Sequence, residues 1–134
     1  MAAGLGTRMR SETPKHLHLL LGRRLVDWVT EAARELRPDR LVVVTSPETE
    51  EAISAEGITV AVQRDPRGTG DAAGAARPAL EGFEGDVLVL SGDAPLLTPA
   101  LLDGLIETHR QSEAAATVLT FEPTRPLPYG RIVR

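Results

Sequence analysis

The chain contains no cysteine and no asparagine, and it has one lysine and four aromatic residues in 134. Without cysteine, neither disulfides nor thiolate chemistry is open to it. Four aromatics are too few for a base-stacking surface, and a net charge of −4 argues against a nucleic-acid platform, which needs a clustered basic face. No apolar run is long enough to span a membrane, and no charged-then-apolar leader is visible. The expected partners are therefore small molecules rather than nucleic acid or membrane, and the expected location is cytoplasmic. The 42% hydrophobic content suffices for one packed domain.

Of fifteen basic residues, fourteen are arginine, and Lys15 stands alone. Heavy use of Arg, Ala, Gly and Pro suits a G+C-rich coding bias, under which surface lysines drift to arginine. A lysine that persists is either a chance survivor or a place where a compact, mobile point charge is needed.

Strand-like and helix-like segments alternate. Residues 41–45 (LVVVT), 58–62 (ITVAV), 86–90 (DVLVL) and 116–120 (ATVLT) are short, β-branched and apolar nearly throughout, as strands covered on both faces are. Between them, Leu25, Val29, Ala32 and Leu36 recur at helical spacing, and so do Leu101, Leu102, Leu105 and Ile106 after the capping pair Thr98-Pro99. Residues 71–80 are alanine-rich, suited to close packing on a sheet, with Pro78 ending or bending the helix. The predicted class is α/β, Rossmann-like, with a mostly parallel sheet flanked by helices. The chain opens on a glycine-rich loop, which normally hangs from a central strand, and closes on what reads as a strand's beginning. The expectation is one partial domain over 1–134, incomplete at both ends and marginally stable alone because strand edges lie unpaired.

Four segments carry chemistry. In 2–9 (AAGLGTRM), Gly4 and Gly6 let backbone N–H groups approach an anion and Arg8 adds a guanidinium fork. This is neither GxGxxG nor a P-loop, and alone it fits a tight turn as well as a phosphate cradle. Pro14-Lys15 places the only lysine seven residues after Arg8. The two cations are either solvated surface charges or a polyphosphate clamp. In 87–96 (VLVLSGDAPL), a strand delivers Asp93 at its C-terminal end, where open α/β sheets place ligands. That carboxylate could hold Mg²⁺ or serve as a turn or cap residue. In 62–71 (VQRDPRGTGD), Gln63 ends a strand and offers a donor and an acceptor on one planar amide, suited to N3–H and a carbonyl of uracil. Backbone around Gly68 could add to it, while Asp71 reads as a helix cap or first-turn charge.

In order and spacing, AAGLGTRM, PKHLH, GTGDA, LSGDAPLL and YGRIVR resemble the N-acetylglucosamine-1-phosphate uridylyltransferase domain of the sugar nucleotidyltransferases over essentially the whole chain. The first two motifs are shared across the superfamily, and the last three are more particular to that enzyme. The resemblance implies transfer of a uridylyl group from UTP to N-acetylglucosamine 1-phosphate, releasing pyrophosphate. It implies that Arg8 and Lys15 are catalytic, that Ala2, Ala3, Gly4, Gly6, Gln63 and Gly68 bind the nucleotide, that Thr69 and Gly130 touch the sugar phosphate, and that Asp93 binds Mg²⁺. Ser91 stands where some relatives have tyrosine and is given a nucleotide contact. His16 stands where an aliphatic residue is common and is expected as an exposed neighbour of Lys15. His18 fits the family pattern and is expected to pack or hydrogen-bond structurally. A second metal ligand and the grip on the N-acetyl sugar are implied beyond position 134, so weak UTP–Mg²⁺ binding and poor turnover are expected of this chain. Many such relatives carry a C-terminal acetyltransferase that trimerises, and a parent of that kind would be a homotrimer. The alternatives are the same transfer to another sugar or alcohol phosphate, or a non-catalytic nucleotide sensor.

Overall fold

The computed structural model describes residues 1–4, 9–125, 130 and 132. It begins with a hairpin the hydrophobic pattern did not announce. Strands β1 (Leu19–Leu20) and β2 (Arg23–Arg24) pair antiparallel, Leu19 opposite Arg24 and Leu20 opposite Arg23. The connecting Leu21 and Gly22 have φ of 52° and 80°, the two left-handed residues of a tight hairpin turn. The only tryptophan fastens this hairpin to the following helix: Trp28 Nε1 donates to the Leu20 carbonyl at 3.1 Å, and the Arg23 guanidinium lies 4.5 Å from its ring centre.

Helix α1 (Leu25–Glu35) buries Val26, Val29, Ala32 and Ala33, while Arg24 grips Asp27 in its first turn through two 2.7 Å bonds. Strands β3 (Val42–Thr45) and β4 (Thr59–Val62) pair in parallel with Val43 opposite Val60, the short helix α2 (Glu50–Ile53) lying between them. Successive β3 side chains point to opposite faces. Val43 packs with Ala2, Val26 and Ile53, whereas Val44 packs with Ala3, Ala72 and Ala76. Apolar layers thus cover both faces, which is why the strand reads as a continuous apolar run.

Helix α3 (Thr69–Ala75) supplies the alanine side of that core, and it gives way to a 3₁₀ turn over Arg77–Leu80 with Pro78 near its start. Helix α4 (Pro99–Ser112) is capped by Thr98, whose hydroxyl accepts from the Leu101 N–H at 3.3 Å. Leu102 is fully buried beneath it. Among the described residues, no helix is long and apolar enough to cross a membrane.

Two strand expectations need correction. Among the described residues, 86–90 and 116–120 join no β-ladder. Val87, Val89, Val118 and Leu119 are exposed. An apolar, β-branched run states which side chains tolerate cover, but a strand also needs a neighbouring backbone in register. Near its end the 86–92 segment does meet one: the Met1 ammonium donates to the Leu90 carbonyl and the Gly92 N–H donates to the Met1 carbonyl, both at 2.7 Å. The Met1–Ala2 segment is tied on its other side to β3, because Ala2 forms a parallel bridge with Thr45 and donates to the Val44 carbonyl at 2.6 Å.

Candidate functional site

These contacts line up a rim at the C-terminal ends of the strands. The Gln63 N–H donates to the Thr45 carbonyl at 2.8 Å, Thr45 bridges Ala2, and Met1 bonds both Leu90 and Gly92. Gln63, Thr45, Ala2 and Ser91 therefore follow one another across the sheet. At a strand spacing of about 4.8 Å, three steps put roughly 14 Å between the ends of this row. Open parallel sheets bind ligands along this edge.

At one end of the row Lys15 meets Asp93. Lys15 opens a 3₁₀ turn, Lys15–Leu17, and its Nζ lies 2.5 Å from Asp93 Oδ2, although the two are far apart in the chain. The Ser91 hydroxyl donates to the other carboxylate oxygen at 2.5 Å. Burial pushes the Asp93 carboxyl upward, but the hydrogen bonds from Lys15 and Ser91 and the lysine charge outweigh it and hold the group below its ordinary value. The glycine between Ser91 and Asp93 has a specific cause. A side-chain carbon at position 92 would fall 2.8 Å from the Met1 carbonyl oxygen and 3.1 Å from Ala2 Cβ, so only glycine lets the two segments pass.

His16 corrects an expectation. It is 3% exposed rather than a surface neighbour of Lys15, because the tight turn sends Lys15 outward and His16 inward. Among the described residues its Nε2 has no hydrogen-bond partner. Burial, the Met1 ammonium and Arg24 lower its pKa, against a smaller upward pull from Asp93. His18 accords with its expected structural part, its Nε2 lying 3.1 Å from the Thr13 carbonyl.

At the other end of the row Gln63 is buried, and its amide nitrogen donates to Asp71 Oδ2 at 2.7 Å, with the Gly68 carbonyl at 3.4 Å. Gly68 caps α3 at φ 120°, a conformation suited to glycine, and Thr69 begins that helix. Asp71 lies in the first turn as expected, but it also anchors the glutamine. The amide's donor half is thereby engaged, and Oε1 is the half available to a ligand. A shallow cavity of about 350 Å³ adjoins it, lined by Val62, Gln63, Arg64, Arg67 and Asp71 among others.

Of the remaining candidates, Ala2 and Ala3 are buried in the core, so what they can offer a ligand is backbone, and Gly4 follows them into the open. Gly6 and Arg8 lie outside the described residues. Gly130 is exposed, and no contact joins it to either cluster among the described residues. Sequence reasoning missed the buried hydroxyl group at the end of β3, where Thr45 and Thr49 hydroxyls lie 2.5 Å apart and Ser46 is 3.2 Å from Thr49. Ser-Pro after an apolar run was its only signal.

Among the described residues, no three His, Cys, Asp or Glu side chains form a metal cage. A lone carboxylate at the rim fits a hard cation that keeps several waters and takes its other ligands from substrate phosphates, as Mg²⁺ does.

Parallel strands with helices on both sides, and a lysine–carboxylate pair at their C-terminal rim, define an α/β domain with a charged ligand-side edge. The chain belongs to the family of MobA-like NTP transferase domains, whose profile matches residues 1–133. It is similar to the bifunctional protein GlmU of Geobacter metallireducens, 43% identical over 138 residues, which is 100% of this chain and 29% of that protein. The GlmU proteins of Trichlorobacter lovleyi and Cutibacterium acnes are 44% and 42% identical over 138 and 139 residues, each covering 100% of this chain and 30% and 33% of theirs. The chain thus spans about three-tenths of the length of the curated relatives it matches.

Proposed function

We propose that this chain is the nucleotide half of a Mg²⁺-dependent uridylyltransferase acting on UTP and N-acetylglucosamine 1-phosphate. The observation that carries this reading is the meeting of Lys15, the only lysine, with Asp93 at the strand ends beside the backbone of residues 1–4. In that reaction a phosphate oxygen of the sugar attacks the α-phosphorus of UTP in line and pyrophosphate leaves. Positioning and charge neutralisation supply most of the rate.

Each residue then has a distinct task. Lys15 neutralises charge on the triphosphate as it builds up on the leaving group, with Arg8 as its companion cation. Gln63, its nitrogen held by Asp71, turns Oε1 to the uracil N3–H. Cytosine presents an acceptor at that position and is rejected. Asp93 would hold Mg²⁺, which supplies charge neutralisation across the phosphates. Gly68 and the backbone of Ala2, Ala3, Gly4 and Gly6 line the nucleotide, and Thr69 and Gly130 face the sugar phosphate. The domain over 1–134 is partial in this reading, so binding is the stronger readout and turnover the weaker. In this reading the protein works in the cytoplasm, where it would draw on the UTP pool.

Calorimetric titration with UTP, CTP, ATP and GTP in Mg²⁺ tests the reading. UTP should bind best, and Lys15→Ala or Asp93→Ala should abolish the signal. Incubation of the protein with UTP, Mg²⁺ and a panel of sugar 1-phosphates, with products weighed by mass spectrometry, identifies the acceptor. UDP-N-acetylglucosamine is the expected product. Another UDP-sugar would correct the acceptor, and binding of no nucleotide at all would sink the reading.

A further inference from the structure

Both carboxylate oxygens of Asp93 are taken, and by partners of different kinds. Ser91 bonds Oδ1 from two residues away within the same turn, so its hydroxyl moves with the carboxylate. Lys15 holds Oδ2 from a separate segment, through a flexible four-carbon stem, and its side chain is 43% exposed. The lysine can leave without any backbone bond breaking, whereas the serine is local and stays. A divalent cation and an ammonium cannot both sit at contact distance on one carboxylate oxygen without strong like-charge repulsion.

We propose that Ser91 is a positioning residue that keeps Oδ1 engaged, and that Oδ2 is an exchange position from which an arriving cation displaces the Lys15 ammonium. The released lysine, now without its counter-charge, is handed to the phosphates that arrive with the same cation. This rests on the reading above that Asp93 is the Mg²⁺ ligand.

The exchange makes metal and nucleotide help one another. Metal alone leaves Lys15 unpaired, and nucleotide alone must draw Lys15 away from a carboxylate that then faces the phosphates. Together each supplies the partner the other removes, and the coupling is reciprocal. Before metal arrives, the closed pair also keeps the sole lysine from holding a nucleotide that lacks its cation.

Because Lys15 is the only lysine, its freedom can be read directly by pulse acetylation followed by peptide mass spectrometry. Saturating Mg²⁺ alone should raise the Lys15 acetylation rate several-fold, and Mg²⁺ with UTP should lower it below the metal-free rate. Asp93→Asn should acetylate fast with or without Mg²⁺. Ser91→Ala should shift the Mg²⁺ midpoint of this effect several-fold upward, and Ser91→Thr, which keeps the hydroxyl, should restore it. Mg²⁺ binding seen by calorimetry with an unchanged Lys15 rate would overturn the exchange while leaving the metal site standing. An unshifted midpoint in Ser91→Ala would remove Ser91 from the proposal. No Mg²⁺ binding with or without UTP would overturn the metal reading and the exchange with it.

Discussion

Two parts of this chain carry the same kind of sequence and reach different ends. The 41–45 and 58–62 runs become the parallel pair β3–β4, with Val43 and Val44 only 4% and 3% exposed. The 86–90 run is as apolar, though two of its five residues are β-branched against four in each of the others, yet Val87 and Val89 are 56% and 51% exposed and no ladder forms among the described residues. Intrinsic strand preference is worth little by itself, because most of what is measured as β-propensity is packing against neighbours. β3 has α1 and α3 on its faces and β4 at its side. Among the described residues, the later run meets another backbone only at its very end, where Met1 bonds Leu90 and Gly92.

That contrast can be tested by substitution. The largest effect is expected from Leu102→Ala in α4, among the described residues the one large apolar side chain in the later part that is fully buried. It should cost about 2–4 kcal/mol in urea unfolding. A cost near zero would mean that α4 is not docked. Gly92→Ala comes next, at about 2 kcal/mol, because the added carbon meets the Met1 carbonyl and Ala2. The same variant should weaken any cation binding at Asp93, and undiminished stability would show that the two segments do not cross so closely.

Val44→Ala should cost about 1–2 kcal/mol and Val89→Ala less than about 0.5 kcal/mol, since one is in the core and the other faces water. Equal costs would erase the distinction between the two regions. Thr98→Ala should remove about 1 kcal/mol through loss of the α4 cap, read from the same urea curves.

The buried imidazole of His16 gives a pH test. Its folded pKa lies below the ordinary 6.5, so between those values the unfolded chain binds more protons than the folded one. Stability is therefore full above about pH 6.5 and declines as pH falls from there toward the folded pKa. His16→Leu should flatten this part of the profile in thermal melts taken from pH 7.5 to 5. A slope that persists in the variant would assign it to another group.

Much of the candidate site is legible in the sequence as residue types. The residue types that suit the proposed chemistry stand in the sequence: a lone lysine after a proline, an aspartate after an apolar run, a glutamine before a glycine-led helix. Legibility failed where a side chain's direction depends on a distant segment. His16 reads as a loop residue, but a three-residue turn rotates it into the core. Gln63 reads as an amide with both halves free, but Asp71, eight residues on, claims its nitrogen. Gly92 reads as room for Asp93, whereas its cause is the backbone of Met1 and Ala2 passing within contact distance.

The sequence by itself determined helices α1, α3 and α4, the Thr98 cap, the α/β class and the kinds of group available for phosphate and metal. Those features follow from periodicity and from hydrogen bonds closed within a few residues. Only the tertiary structure decided that Lys15 would close on Asp93, that His16 would turn inward, and that one apolar run would be laddered while another stayed open. Ladders and ion pairs require two remote segments to arrive in register, and no local propensity encodes the position of the second.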